Sequence, residues 1–273
     1  MEKKTYRAIW ISDVHLGTRD CKAALLNSFL KAHRCEKLYL VGDIIDGWRI
    51  ATAKWYWPAE HNRVVRQVLR KAEKENTRVY YITGNHDEFL RDYIAEHKIQ
   101  MGNIQVLNEV FHTTVKGEKI WVVHGDDYDG VTRYHKWVAF AGDLGYNFLL
   151  WSNHWVNILR KVFRLPYWSM SRAIKNKVRK SLDFISEFEN TVVREAGKYC
   201  VQGVICGHIH CAGKKQINGI NYYNCGDWVD SCTALVEDDK GKISIIHWAD
   251  ENQDFGKVIS FTEHSGKKEV VNL

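Results

Sequence analysis

Residues 6–15 read Tyr-Arg-Ala-Ile-Trp-Ile-Ser-Asp-Val-His, residues 37–46 read Lys-Leu-Tyr-Leu-Val-Gly-Asp-Ile-Ile-Asp, and residues 78–87 read Arg-Val-Tyr-Tyr-Ile-Thr-Gly-Asn-His-Asp. Each is a short, mainly apolar run that stops on carboxylate, amide or imidazole side chains. Such runs, bounded by Gly, Asn or Asp, mark strands buried on both faces. Strands are expected over Tyr6–Ser12, Lys37–Val41 and Arg78–Thr83, with helical patterns between them over Ala23–His33 and Glu60–Glu75. Strand–helix alternation of this kind predicts parallel βαβ units and an α/β core.

Further along, Thr113–Val115 and Lys119–His124 flank Lys116-Gly117, a hairpin signal. From about 128 to 195 the pattern is helical without strands. Ile174, Val178, Leu182, Ile185, Phe188 and Val192 recur at spacings of three and four, one face of a helix. Strands return at Gly203–Cys206 and in a meander over about 215–248, with a turn at Asn218-Gly219. The expected organisation is a core of 1–127 and 196–248, a basic helical insertion at 128–195, and a polar tail at 249–273.

The chain has 273 residues, 45% hydrophobic and 26% charged, enough for a sizeable core and unlike a disordered or collagenous chain. Residues 131–181 hold ten of its 39 Lys and Arg but only one of its 33 acids, Asp143, a net of +9 in a chain whose total is +6. One segment thus carries the whole basic excess, which suits an anionic partner. Seven cysteines form no disulfide-scaffold pattern. The opening Met-Glu-Lys-Lys-Thr-Tyr-Arg lacks an apolar signal core. The greasiest stretch, 144–168, is interrupted by Asn147, Asn153, Arg160, Lys161 and Arg164, short of the ~18 apolar residues of a spanning helix. The expectation is a reduced, cytoplasmic protein that does not span a membrane.

Five motifs fall at expected strand ends: Asp13-Val14-His15, Gly42-Asp43, Gly84-Asn85-His86-Asp87, His124-Gly125-Asp126 and Gly207-His208-Ile209-His210. In open α/β sheets, ligands lie beyond the carboxyl ends of the strands. Asp13, Asp43 and Asn85 offer oxygen; His15, His124, His208 and His210 offer imidazole nitrogen. Mixed oxygen and nitrogen donors suit Mn, Fe, Zn or Mg rather than an all-thiolate zinc site. Each motif alone is weak; the five in order make a strong metal signal.

With these motifs the chain resembles the calcineurin-like metallophosphoesterases, over roughly 6–127 and 200–248. The resemblance implies a two-sheet sandwich flanked by helices, and two divalent ions, manganese foremost. One ion would be held by Asp13, His15, Asp43 and His210, the other by Asp43, Asn85, His124 and His208. It also implies that His86 faces the phosphate as a catalytic group and that Asp87 orients the His86 ring, while Asp87 and Asp126 equally suit a structural, turn-capping role through bonds to nearby backbone N–H groups. Within the family, Val41 to Trp48, the insertion after His124-Gly125-Asp126 and the length resemble the UDP-2,3-diacylglucosamine diphosphatase branch, which cleaves a nucleotide-linked lipid pyrophosphate in lipid A synthesis. That implies a helical lid over the site and a lid-facing role for Trp48. The branch usually carries Arg where this chain has His86.

The insertion interleaves Trp137, Phe140, Tyr146, Phe148, Trp151, Trp155, Phe163, Tyr167 and Trp168 with cations. Arg172, Lys175 and Lys177 crowd the early turns of a helix, where positive charge opposes the helix dipole. They are therefore expected to contact an anionic substrate, and the segment to meet the anionic inner face of the inner membrane. A solvated amphipathic face gives the same pattern. Three functional classes stay open: a lipid-nucleotide pyrophosphatase; another metal phosphodiesterase or a nuclease, since basic and aromatic residues also suit single strands; and a non-catalytic binder.

Overall fold

The computed structural model describes residues 3–50, 55–96, 99–129 and 170–251, with the side chains of 50, 95–96, 170–182 and 251 outside that description. Twelve described strands form two mixed sheets. The first orders β12 (Ile243–His247), β11 (Thr233–Glu237), β1 (Lys4–Ile11), β2 (His33–Val41), β3 (Arg78–Ile82), β5 (Ile104–Leu107) and β4 (Ile99–Met101). The second orders β6 (Glu109–Thr113), β7 (Lys119–Val123), β8 (Gly203–Cys206), β10 (Ile220–Asn224) and β9 (Gly213–Ile217).

β1, β2, β3 and β5 run parallel, with α1 (Ala23–Ala32) in the first crossover and the short α2 (Gly47–Ile50) and α3 (Ala59–Lys74) in the second. Successive residues of β1 divide between two cores. Ala8 and Trp10 join Tyr39, Val41 and Ile82 against Ile120, Val122, Ile205 and Tyr223 of the second sheet. Ile9 and Ile11 join Leu26, Phe29 and Leu30 of α1 and Val64 of α3. A strand covered on both faces must be apolar at every position, so the run reads as continuous rather than alternating.

Between the sheets lies a closed polar relay. Tyr39 Oη pairs with His112 Nδ1 at 2.9 Å, and His112 Nε2 pairs with Glu237 Oε2 at 2.9 Å. Val115 N–H donates to Glu237 Oε1 at 3.0 Å. Burial pushes the Glu237 carboxyl up, but the bonds from His112 and Val115 outweigh it and hold the group below its ordinary value.

Four departures from the sequence reading appear. β2 begins at His33, because its first residues pair with Lys4, Thr5 and Tyr6 of β1. The hairpin strand before Lys116-Gly117 is Glu109–Thr113, since Thr114 N–H bonds back to Glu118 O and starts the turn early. The strands β4 and β5, of three and four residues, are too short to announce themselves by a period. Finally, the 215–248 stretch is not one meander: β9 and β10 belong to the second sheet, β11 and β12 to the first. The crossing is a tight turn in which Asp227 Oδ1 accepts the N–H groups of Val229, Asp230 and Ser231 at 2.9, 2.5 and 3.1 Å.

The chain divides into two compact units, 1–125 with 195–273, and 126–194. In the second, the described backbone is a 3₁₀ turn at Asp126–Tyr128 and most of a 28-residue helix, Met170–Gly197. Within it, Tyr128, Asp129, Phe184, Phe188 and Thr191 line a cavity of about 210 Å³. The aromatic and cationic residues expected between 133 and 168 lie outside the described residues. No described helix is long and apolar enough to cross a membrane.

Candidate metal centre

The loops after β1 and β2 are stitched together by backbone bonds. Asp13 N–H donates to Gly42 O, Val14 and His15 N–H to Asp43 O, and Leu16 N–H to Ile44 O. Gly17 N–H donates to His61 Nδ1 at 3.2 Å, anchoring the first loop to α3. Left-handed backbone turns the donors inward: φ is 51° at Asp13, 52° at His15, 53° at Asp43, 71° at His208 and 53° at His210. Asp and His reach this region more readily than most residues, yet it remains uncommon. Two glycines leave room for the cluster. A Cβ at Gly42 would overlap the His124 ring, and one at Gly84 the Asp43 carboxylate.

Each central carboxylate uses one oxygen to hold the loops and turns the other inward. Asp13 Oδ2 accepts His208 N–H at 3.0 Å, while Oδ1 lies 3.2 Å from His210 Nε2. Asp43 Oδ1 accepts His86 N–H at 2.8 Å, while Oδ2 lies 3.4 Å from His124 Nε2, 3.9 Å from His86 Nε2 and 4.0 Å from His15 Nε2. His124 Nδ1 donates to Val41 O at 2.9 Å, leaving Nε2 as the lone-pair nitrogen. The His208 ring stands edge-on to that of His124, centroids 5.3 Å apart.

Three donor groups each gather within 4.8 Å: Asp13, His15 and His210; Asp13, Asp43 and His124; and His15, Asp43 and His86. Asp43 belongs to two of them. Asp13 Oδ1, His15 Nε2 and Asn85 Oδ1 are buried without a hydrogen-bond partner among the described residues. Buried acceptors without donors are costly unless a cation compensates them, so the residues present fit divalent metal. Electrostatics agree. Burial pushes the Asp13 and Asp43 carboxyls up, but His210 at Asp13 and His124 at Asp43 hold both below the ordinary range.

The residue that aligns His86 is Asp46, not the expected Asp87. Asp46 Oδ2 lies 3.2 Å from His86 Nδ1 and 3.5 Å from His15 Nδ1, and Oδ1 accepts Arg49 N–H at 3.0 Å. One carboxylate therefore meets both rings on their Nδ1 side and leaves both Nε2 atoms toward Asp43. Against burial, the His15 and His86 imidazoles facing its Oδ2 keep Asp46 well below the ordinary carboxylate range. Asp87 instead accepts Ile44 and Ile45 N–H, each at 3.0 Å, and Tyr81 Oη–H at 2.9 Å. Those N–H groups follow the bend at Asp43 and need an acceptor. Burial, then the Asp43 charge, push the Asp87 carboxyl up to about 7.

Asp46 escaped the sequence reading although it stands three residues after Asp43; its signal was a second acid just past the same strand end. Trp48, on the short helix Gly47–Ile50, lays its indole over the His86 ring with centroids 3.8 Å apart, and is 37% exposed. Arg172, Lys175 and Lys177 lie on the helix Met170–Gly197, with side chains outside the described ones.

Comparison with known proteins places this geometry. Residues 6–212 match the family model of the calcineurin-like phosphoesterases. UDP-2,3-diacylglucosamine hydrolase of Ectopseudomonas mendocina (strain ymp) is 26% identical over 247 residues, covering 85% of this chain and 94% of its own. The enzyme of that name from Psychromonas ingrahamii is 26% identical over 249 residues, covering 88% and 96%. Among solved structures, hypothetical protein PH1004 from Pyrococcus horikoshii OT3 overlaps 97% of this chain and 100% of its own, at 13% identity and a TM-score of 0.46. The chain belongs to the calcineurin-like phosphoesterase family and is a hydrolase.

Proposed function

We propose that this calcineurin-like phosphoesterase uses two divalent ions, manganese foremost, to hydrolyse the pyrophosphate of UDP-2,3-diacylglucosamine or a similar lipid-linked nucleotide, giving UMP and a lipid phosphate. The observation that carries the metal-dependent chemistry is the convergence of Asp13, His15, Asp43, His86, His124 and His210, with Asp13 Oδ1, His15 Nε2 and Asn85 Oδ1 buried and lacking donors among the described residues. Asp13, His15, Asp43 and His210 would hold one ion; Asp43, Asn85, His124 and His208 would hold the other. When bound, such a pair polarises the phosphoryl group and acidifies a water.

The chain's own residues do the rest. Asp46 fixes the His15 and His86 rings, so that His86 Nε2 points at the reacting region and holds a proton for the leaving oxygen. Asp87 pins the loop that carries Asp43. Trp48 offers an exposed apolar face beside His86. Arg172, Lys175 and Lys177 meet the anionic part of the substrate, and the basic segment 128–195 forms a lid that rests on an anionic membrane surface from the cytoplasmic side. The lipid reading is supported by the printed activity of the relatives and by the basic, aromatic composition of that segment.

A second reading, a phosphodiesterase of other specificity, is favoured by the Asp46–His86 pair. When a pyrophosphate is cleaved, the group that leaves is a phosphate monoester, already a stabilised anion, whereas an alkoxide needs a proton from a positioned acid. The deciding experiment follows UDP-2,3-diacylglucosamine and bis-p-nitrophenyl phosphate in parallel, before and after chelation and manganese return. The proposal expects UMP release that falls as the acyl chains are shortened, because each buried CH₂ contributes ~0.8 kcal/mol. Full turnover by verified metal-free protein overturns the metal chemistry. Cleavage of the diester alone overturns the lipid substrate.

A further inference from the structure

We infer that a groove at the N-terminal ends of β1, β2 and β3 is a second binding site, for a small phosphate-bearing anion, independent of the metal centre. The groove measures about 580 Å³, and Arg7, Arg34, Lys37 and Arg78 are in its wall together with Glu36 and Glu75. Cavities of this size suit small ligands.

The charges there are not balanced from within. Lys37 and Arg78 are register partners on adjacent parallel strands, which sets their backbones about 4.8 Å apart. Like charges placed side by side across strands repel. The acids nearby are already engaged. Glu36 pairs with Arg7 at 3.1 Å, and Glu75 takes Lys3 at 2.6 Å and Lys71 at 3.3 Å. Glu237, which shares the row of Lys37 across Ala8, is committed to His112 and Val115. Among the described residues, Arg34, Lys37 and Arg78 form no ion pair. Burial first, then Arg7 and Arg78, hold the Lys37 ammonium below its ordinary value, against Glu237 and Glu36. Guanidinium forks beside an ammonium match phosphoryl oxygens, which accept bidentate bonds from Arg and a point charge from Lys.

The site is distinct from the catalytic one. Lys37 lies four residues before the end of β2 at Val41, about 13 Å at ~3.3 Å per residue, and Asp43 follows in the loop beyond that end. An anion in the groove therefore leaves the metal ligands untouched.

The test titrates full-length, metal-loaded protein with methylenediphosphonate, a diphosphate that cannot be hydrolysed, by calorimetry. Wild type should show two classes of site. Lys37→Gln/Arg78→Gln should lose one class, its affinity falling by about tenfold or more, with turnover unchanged. Arg34→Gln, at an exposed position, should weaken the same class, which covers the case of a double variant that folds poorly. Asp43→Asn should keep the groove class and lose the other. The anion should raise the melting temperature of wild type more than that of the double variant. Loss of diphosphonate binding alone assigns a soluble ligand; loss of sedimentation with phosphatidylglycerol vesicles as well assigns a lipid headgroup, and either supports the site. Two classes with wild-type affinity in both groove variants overturn it.

Discussion

Two buried clusters of imidazole and carboxylate lie among the described residues, and they are built to opposite rules. In the inter-sheet relay, Glu237 is 0% and His112 1% exposed, and Glu237 meets a donor at each oxygen. At the strand ends Asp13 is 0%, Asp43 2% and His124 0% exposed, yet Asp13 Oδ1, His15 Nε2 and Asn85 Oδ1 meet no donor among the described residues. Five residues there also carry left-handed backbone. Leaving a buried acceptor unpaired costs ~1–3 kcal/mol, and such strain is of similar order. A chain carries both costs together where something from outside offsets them. The relay is closed and structural; the strand-end cluster is open and needs a ligand.

The sharpest way to break this contrast is Asp43→Ala. It removes the oxygen shared by two donor groups, so turnover should fall by roughly 10³-fold or more and bound metal should drop. The fold should persist, because a crowded carboxylate has been removed. Metal analysis and circular dichroism check both; unchanged metal content would remove Asp43 from the centre. His86→Ala should lower kcat by roughly 10²–10⁴-fold while both ions stay bound. Unchanged kcat would make His86 structural.

Asp46→Asn should have a smaller effect, about 10–100-fold in kcat, as expected of a residue that acts through another. Its distinguishing readout is the pH–rate profile, which should shift with that of a loosened His86, while Asp46→Glu restores part of the rate. A general loss of stability with an unaltered profile would assign Asp46 to the loop alone.

The closed cluster gives the smallest effect, and one of another kind. The folded Glu237 carboxyl lies below its ordinary value of 4.5. The unfolded chain therefore takes up the proton first, and Glu237 contributes stability that is complete above the ordinary carboxylate range and lost as pH falls through the folded value. Glu237→Gln should flatten that acid limb in thermal melts, lower the melting temperature at neutral pH by a few degrees, and leave kcat alone. A melting curve of wild-type acid dependence would show that the relay is not set by this carboxylate.

Local chemistry alone settled a good part of this protein. The strands that carry Asp13, Asp43 and Asn85 were legible because both faces are covered, which leaves an unbroken apolar run ending on polar residues. The helix pattern of α3 was legible because one face is wet. The donor types pointed to metal because their order and neighbouring glycines follow strand ends. Tertiary structure alone decided which side chain serves which. Asp46 reaches His86 across 40 residues, Asp87 turns away to Ile44 and Ile45, and the partners of His112 lie 73 and 125 residues distant. The strands after Asn224 change sheets for the same reason. Propensity and periodicity act over a few residues, whereas strand order and the crossing of loops determine which distant groups share one small buried volume.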